Sequence, residues 1–114
     1  LSAALDTAFL YNQIVRLGRL SAHERIGNLL LEVHDRLAIA GLAQDNAFAF
    51  PLTQEVLGEL LGLNSVHVNR TLQVMRRDNL VQLAGGSARV MKREQLVWSS
   101  DYQPPVVSQA QQQG

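Results

Sequence analysis

The sequence lacks the features on which several classes of protein depend. Cysteine is absent from its 114 residues, which excludes a disulfide framework, a thiolate metal site and a cysteine nucleophile. No apolar run approaches the ~20 residues that a membrane-spanning helix needs, and no basic segment precedes the first apolar residues as in a signal peptide. We therefore expect a cytoplasmic protein with no membrane partner, and no metal or cofactor within this sequence.

Catalytic patterns are missing as well. No Ser-His-acid set lies on a plausible scaffold, and helical periodicity brings no buried pair of carboxylates together. His23 and His34 lie 11 residues apart on one predicted helix, without a second ligand one turn away, so zinc is not predicted. The sequence therefore does not predict an enzyme.

The formal net charge is zero, which taken alone argues against a nucleic-acid partner. The charges are nevertheless unevenly distributed, because residues 64–93 contain six basic residues against Asp78 alone, a net charge of +5. These basic residues are Arg70, Arg76, Arg77, Arg89, Lys92 and Arg93. A basic patch of this kind would attract a polyanion.

Hydrophobic residues make up 46% of the sequence, enough for one compact domain. The spacing of Leu10, Ile14 and Leu17 predicts an amphipathic helix in the first segment. "SAHE", 21–24, is a capping box that starts a second helix, and Gly41 ends it. The predicted inward stripe of that helix is Ile26, Leu29, Leu30, Val33 and Leu37.

Two short helices follow in close succession. Thr53 caps the first, which runs to about Leu61 with Leu57, Leu60 and Leu61 predicted to face inward. Gly62 supplies a left-handed turn, and Asn64 or Ser65 caps the second helix, which ends near Asp78. Gly58 is expected where a side chain would obstruct the crossing helix. In the second helix, Val68, Leu72 and Met75 should point inward.

The region after these helices predicts a β-hairpin. Leu80–Leu83 and Ala88–Met91 are apolar enough for two strands, and "AGGS" between them suits a tight turn. "AFAFPL", 47–52, is expected to be a short extended piece, and residues 94–102 a last helix on which Trp98 and Tyr102 cap the wing. The composition of residues 103–114 is typical of a disordered tail.

The order of helix, tight turn, helix and hairpin predicts a mainly α winged helix-turn-helix with a small β-hairpin wing. The outward stripe of the second helix holds Val66, Arg70, Gln73 and Arg77, with Asn69 beside it. Arginine can form two hydrogen bonds with guanine, and asparagine with adenine. We therefore predict that the helix at 65–78 enters a major groove of double-stranded DNA. The alternative is a winged-helix protein–protein adaptor, whose binding would lack the steep salt dependence of phosphate contacts.

The stretch "PLTQEVLGELLGLNSVHVNRTLQVMRRDNLV" resembles the C-terminal DNA-binding domain of the Crp/Fnr superfamily of bacterial transcription regulators. The resemblance extends back through "SAHERIGNLLLEVHDRLA" and covers about residues 10–100. It implies that 21–102 is the DNA-binding domain and that 1–20 is the end of a dimerisation helix. It also implies an N-terminal sensory domain outside this sequence, with an effector that stays unknown. Its further implications are a homodimer and RNA polymerase as a partner.

The resemblance assigns roles to individual residues. Base-reading positions fall on Ser65, Val66, Asn69 and Arg70. Phosphate-binding positions fall on Thr53, Gln54, Asn64, His67, Ser87 and Arg89. Well-studied members carry a glutamate at the position of Val66, where it accepts from cytosine and supports the arginine. Valine can only pack or contact a thymine methyl, so the usual half-site of the family is not expected here.

Overall fold

The computed structural model describes residues 21–104. The elements in this range are α1 (Ala22–Ile39), β1 (Ala47–Ala49), α2 (Gln54–Leu61), α3 (Ser65–Arg77), β2 (Val81–Ala84), β3 (Ser87–Val90) and α4 (Arg93–Ser100). No helix in this part of the chain is both long and apolar enough to cross a membrane. The predicted end of a dimerisation helix at 1–20, and residues 105–114 of the predicted tail, lie outside the described residues.

Helix α1 is the element on which α3 and α4 pack. Its predicted capping box is confirmed: Ser21 Oγ accepts from the Glu24 N–H at 3.2 Å, and Glu24 Oε1 accepts from the Ser21 N–H at 2.9 Å. Gly41, at φ 77°, follows its C-terminal end. Of the predicted stripe, Val33 and Leu37 are only partly buried. The buried hydrophobic side chains of α1 are Ile26, Leu29, Leu30 and Leu31.

The wing has three strands, not the two predicted. The hairpin turn carries Gly85 at φ 59° and Gly86 at φ 80°, and the strands begin and end within one residue of the predicted bounds. Strand β1 pairs antiparallel with β3, which gives the order β1-β3-β2. Phe48 and Phe50, which are two residues apart, are both buried and contact each other edge-to-face with ring centroids 6.0 Å apart. The expected extended piece is therefore part of the sheet and supplies aromatic rings to the core.

One carboxylate of α1 binds two residues of the segment that follows the sheet. Asp35 accepts two hydrogen bonds from the Arg93 guanidinium, at 2.8 and 2.9 Å, and one from the Tyr102 hydroxyl at 2.9 Å. His34 Nδ1 lies 2.8 Å from the same carboxylate. Burial raises the pKa of Asp35, but hydrogen bonds from Arg93, His34 and Tyr102 lower it more, so the pKa lies below its ordinary value.

This arrangement corrects the prediction for the aromatic residues of the last segment. Tyr102 is buried against α1 because its hydroxyl reaches Asp35. Trp98 does not cap the wing, since 86% of it is exposed. His23 is half-buried, and its Nε2 lies 2.9 Å from Ser99 Oγ. Helix α4 thus packs on α1 through polar contacts that helical periodicity does not reveal.

Candidate nucleic-acid interface

A left-handed turn sets the angle between α2 and α3. Gly62 has φ 70° and ψ 33°, and its N–H donates to the Gly58 carbonyl. The Leu63 N–H donates to the same carbonyl at 2.8 Å. A side chain at Gly58 would collide with the Leu63 carbonyl oxygen. The expected obstruction is therefore real, but the obstructed group is the backbone of the turn rather than the crossing helix.

Apolar side chains pack α2 against α3, and α3 also packs on α1. Leu57 and Leu61 are buried as predicted, whereas Leu60 is 42% exposed, so the prediction that it faces inward is wrong. Leu57 and Leu61 are four residues apart and lie on the buried face of α2, whereas Leu60, about 100° around the helix from Leu61, lies at the edge of that face. The predicted inward face of α3 is confirmed, because Val68, Leu72 and Met75 are buried.

Helix α3 begins at a side-chain cap and ends one residue earlier than predicted. Asn64 Oδ1 accepts from the His67 N–H at 2.7 Å, which identifies Asn64 rather than Ser65 as the N-cap. Asp78 caps the C-terminal end, so the helix is 65–77 and not 65–78. With its inward face fixed in the core, the opposite face of α3 is turned to solvent.

The solvent face of α3 exposes two of the four predicted base-reading residues. Val66 is 64% exposed, and Arg70 is exposed without a hydrogen bond or ion pair to any of residues 21–104. Together with Asn64 and His67 they line a shallow depression of about 320 Å³. Ser65 is half-buried in the first turn of the helix. The face thus offers one unpaired guanidinium and one exposed branched apolar side chain.

Asn69 is already bonded to a residue of α2. Gln54 Nε2 donates to Asn69 Oδ1 at 3.1 Å, and both side chains are half-buried. Sequence reasoning assigned these two residues to separate roles, a base contact and a phosphate contact. Their proximity depends on how α2 crosses α3, which no spacing along the chain encodes.

The other predicted phosphate-binding residues lie at helix starts or on the wing. Thr53 Oγ1 accepts from the Val56 N–H at 3.1 Å and so caps α2. Ser87 Oγ donates to the Ala84 carbonyl at 3.1 Å, and the exposed Arg89 donates to the Asp45 carbonyl at 3.3 Å. Helix N-termini and exposed cations both suit a phosphate. The phosphate contacts of these residues, and of the exposed His67, stay predictions.

The basic patch is smaller than the count along the sequence indicates. Arg93 contributes its charge to Asp35 on α1 and not to the surface. Arg77 Nε lies 3.7 Å from the Asp78 carboxylate, although its side chain is 73% exposed. The basic residues left exposed without an ion pair within residues 21–104 are Arg70, Arg76, Arg89 and Lys92.

Comparison with known proteins identifies relatives of this fold. Residues 24–97 match the model of the Crp-like helix-turn-helix domain. The chain is 36% identical over 72 residues to the transcriptional activator protein FnrL of Cereibacter sphaeroides, covering 60% of this chain and 29% of that protein. It is 28% identical over 90 residues to the transcriptional activatory protein AadR of Rhodopseudomonas palustris, covering 78% and 37%.

A solved structure shares the architecture. The structure of FixK2 from Bradyrhizobium japonicum superposes with a TM-score of 0.69 at 24% identity, over 92% of this chain and 49% of that one. At this identity the likeness concerns the fold. The chain spans about a third of the length of the two activators and about half that of FixK2.

Proposed function

This chain belongs to the Crp-like helix-turn-helix family of DNA-binding transcription regulators, and from that premise we propose that α3 enters the major groove of double-stranded DNA and reads its sequence. Helix α2 would cross the backbone and hold α3 in place, as in known helix-turn-helix proteins. The observation that carries this proposal is the solvent face of α3, where Arg70 is exposed and unpaired among residues 21–104 while the opposite face is buried.

The proposed base contacts follow from the chemistry of each side chain. Arg70 would donate two hydrogen bonds to O6 and N7 of a guanine, and Asn69 would read an adenine. Val66 would contact a thymine methyl group, and the Ser65 hydroxyl can donate or accept at a base edge. An unpaired arginine suits this role because no internal hydrogen bond or ion pair has to be broken before it meets a base.

The proposed phosphate contacts hold the domain without reading sequence. Half to two-thirds of protein–DNA hydrogen bonds are of this kind. The N-termini of α2 and α3 present backbone N–H groups toward an anion, and the wing adds a cation. The residues proposed for this role are Thr53, Asn64, His67, Ser87 and Arg89; Gln54, whose amide donates to Asn69, is not among them.

The whole protein is proposed to regulate transcription as a two-fold homodimer. Two copies of α3 would then read half-sites about one helical turn, ~34 Å, apart on the DNA. FnrL and AadR are activators by name, and contact with RNA polymerase is proposed from the family resemblance. A regulator of this kind works beside the bacterial chromosome, in the cytoplasm.

Selection from random duplexes tests the proposal directly. The 114-residue chain would be incubated at low salt with a randomised duplex pool, and the bound duplexes would be recovered and sequenced. We expect enrichment of a short motif containing a guanine, and affinity for it that falls steeply as salt rises, because phosphate contacts release counterions. Recovery of unenriched sequence, or affinity that is insensitive to salt, would contradict the proposal.

A further inference from the structure

One hydrogen bond connects the two helices of the helix-turn-helix outside their apolar contact. Gln54 is the first residue of α2, and Asn69 lies near the middle of α3. Gln54 Nε2 donates to Asn69 Oδ1 at 3.1 Å. Across residues 21–104, no other hydrogen bond between side chains joins α2 to α3. The first turn of α2 is therefore linked directly to a residue that is proposed to read a base.

The bond constrains what the Asn69 amide can offer to DNA. An amide oxygen has two lone pairs, so Gln54 occupies one and leaves the other, together with the amide N–H groups, for a base. Adenine reading needs that combination: the oxygen accepts from N6 and the nitrogen donates to N7. Because the amide plane is held before DNA binds, less side-chain freedom is lost on binding.

We infer that Gln54 is a positioning residue, which orients the Asn69 amide for an adenine and sets base preference without touching a base. This inference rests on the proposed function. It gives Gln54 a part in specificity, whereas a phosphate contact, the role implied by family resemblance, would strengthen binding to every sequence alike.

The experiment is a map of base preference made with the full chain. Starting from the duplex preferred in the selection, each base pair is changed in turn and affinity is measured by fluorescence anisotropy. Asn69→Ala identifies the base pair that Asn69 reads. At that pair, Gln54→Ala should lower the preference for adenine about 2- to 10-fold, the effect of freeing one side chain. Its affinity for random-sequence duplex should stay near that of the parent.

Two further variants separate the hydrogen bond from other properties of Gln54. Gln54→Glu keeps the size of the side chain but cannot donate, so the preference for adenine should fall as in Gln54→Ala. Gln54→Lys keeps a donor and should retain the preference. Charge effects cancel in this ratio because they act on all duplexes equally. Adding Gln54→Ala to Asn69→Ala should leave base preference as it is in Asn69→Ala alone.

The possible outcomes distinguish this inference from the function on which it rests. If Gln54→Ala weakens all duplexes by one factor, Gln54 binds phosphate and the inference is overturned. A lower melting temperature with unchanged base preference would overturn it too, since that result describes a structural role only. If Asn69→Ala alters no base preference while Arg70→Ala does, the inference fails and the proposed function stands. A parent chain without any preferred duplex would overturn both.

Discussion

The left-handed turn at Gly62 can be tested by placing valine and asparagine at the same position. An L residue with φ 70° and ψ 33° costs roughly 1–2 kcal/mol, and a β-branched side chain is disfavoured there still more. We expect Gly62→Val to lower the free energy of unfolding by about 2–3 kcal/mol. Gly62→Asn should cost at most about 1 kcal/mol, because asparagine visits this region readily.

The chain itself supports the choice of control. Asn46 and Asn79 have φ values of 61° and 58°, and Asn79 follows the cap of α3 much as Gly62 follows the last residue of α2. In a domain of this size each kcal/mol shifts the melting temperature by about 4–8 °C, so Gly62→Val should melt about 10–20 °C below the parent. Circular dichroism during heating, supported by urea denaturation, measures both variants.

DNA binding gives a second measurement of the same turn. The Gly58 carbonyl accepts from the N–H groups of both Gly62 and Leu63, so a distorted turn changes the direction in which α3 leaves α2. At a temperature where Gly62→Val is still folded, it should have lost most of its sequence-specific affinity, while Gly62→Asn retains it. If Gly62→Val melts with the parent and binds the same site equally well, this account of the turn is wrong.

Four further substitutions test other parts of the molecule. Arg70→Ala should lower the binding free energy by about 1–3 kcal/mol on the preferred duplex and by little on random DNA, and equal losses on all duplexes would contradict the proposed base contact. Arg89→Ala should instead weaken binding to all duplexes alike and lower the slope of log K against log salt by about one. Val66→Glu should change the preferred base beside the Arg70 contact, as a repeated selection would show. Asp35 has a lowered pKa in the folded protein, so its stabilising effect is present above its unfolded pKa of about 3.9 and is lost as pH falls through the folded value. Urea denaturation at neutral and acidic pH should therefore show a smaller loss of unfolding free energy on acidification in Asp35→Asn than in the parent.

The helices and their caps are predictable from the sequence because their causes are local. Ser21 and Glu24 lie within one turn of each other, and the glycine of the turn stands at a fixed distance from the caps on either side. The third strand depends on pairing between Ala47 and Arg89, which are far apart in the sequence. The alternation of Phe48 and Phe50 is a signal that could have indicated a buried strand, although it does not identify the partner.

The candidate site is predictable in composition but not in its internal contacts. Helical periodicity places Val66 and Arg70 on one exposed stripe, as observed. Counting charge along the chain overestimates the basic surface because Arg93 pairs with Asp35, a residue of a helix that is far away in the sequence. The bond between Gln54 and Asn69 is missed for the same reason. Contacts of this kind depend on how helices pack, and a single sequence does not record the packing.

The small number of exposed cations limits how strongly one domain can hold DNA. Within residues 21–104, the cations available for phosphate are Arg76, Arg89 and Lys92, besides Arg70, which is proposed to read a base, and Arg77, which is shared with Asp78. Each neutralised phosphate contributes about −0.9 to the slope of log K against log salt, so three or four contacts produce a slope of roughly −3 to −4. Two domains on one operator would double the number of contacts to six to eight, which gives a slope of roughly −5 to −7. We therefore expect the 114-residue chain to bind a single half-site weakly. On a duplex with two half-sites, we expect the steeper slope only where two copies bind together. Anisotropy titrations over a range of salt concentrations on both duplexes would measure this. A slope steeper than about −4 on the single half-site would mean that a further cation, beyond these exposed side chains, contacts the DNA backbone.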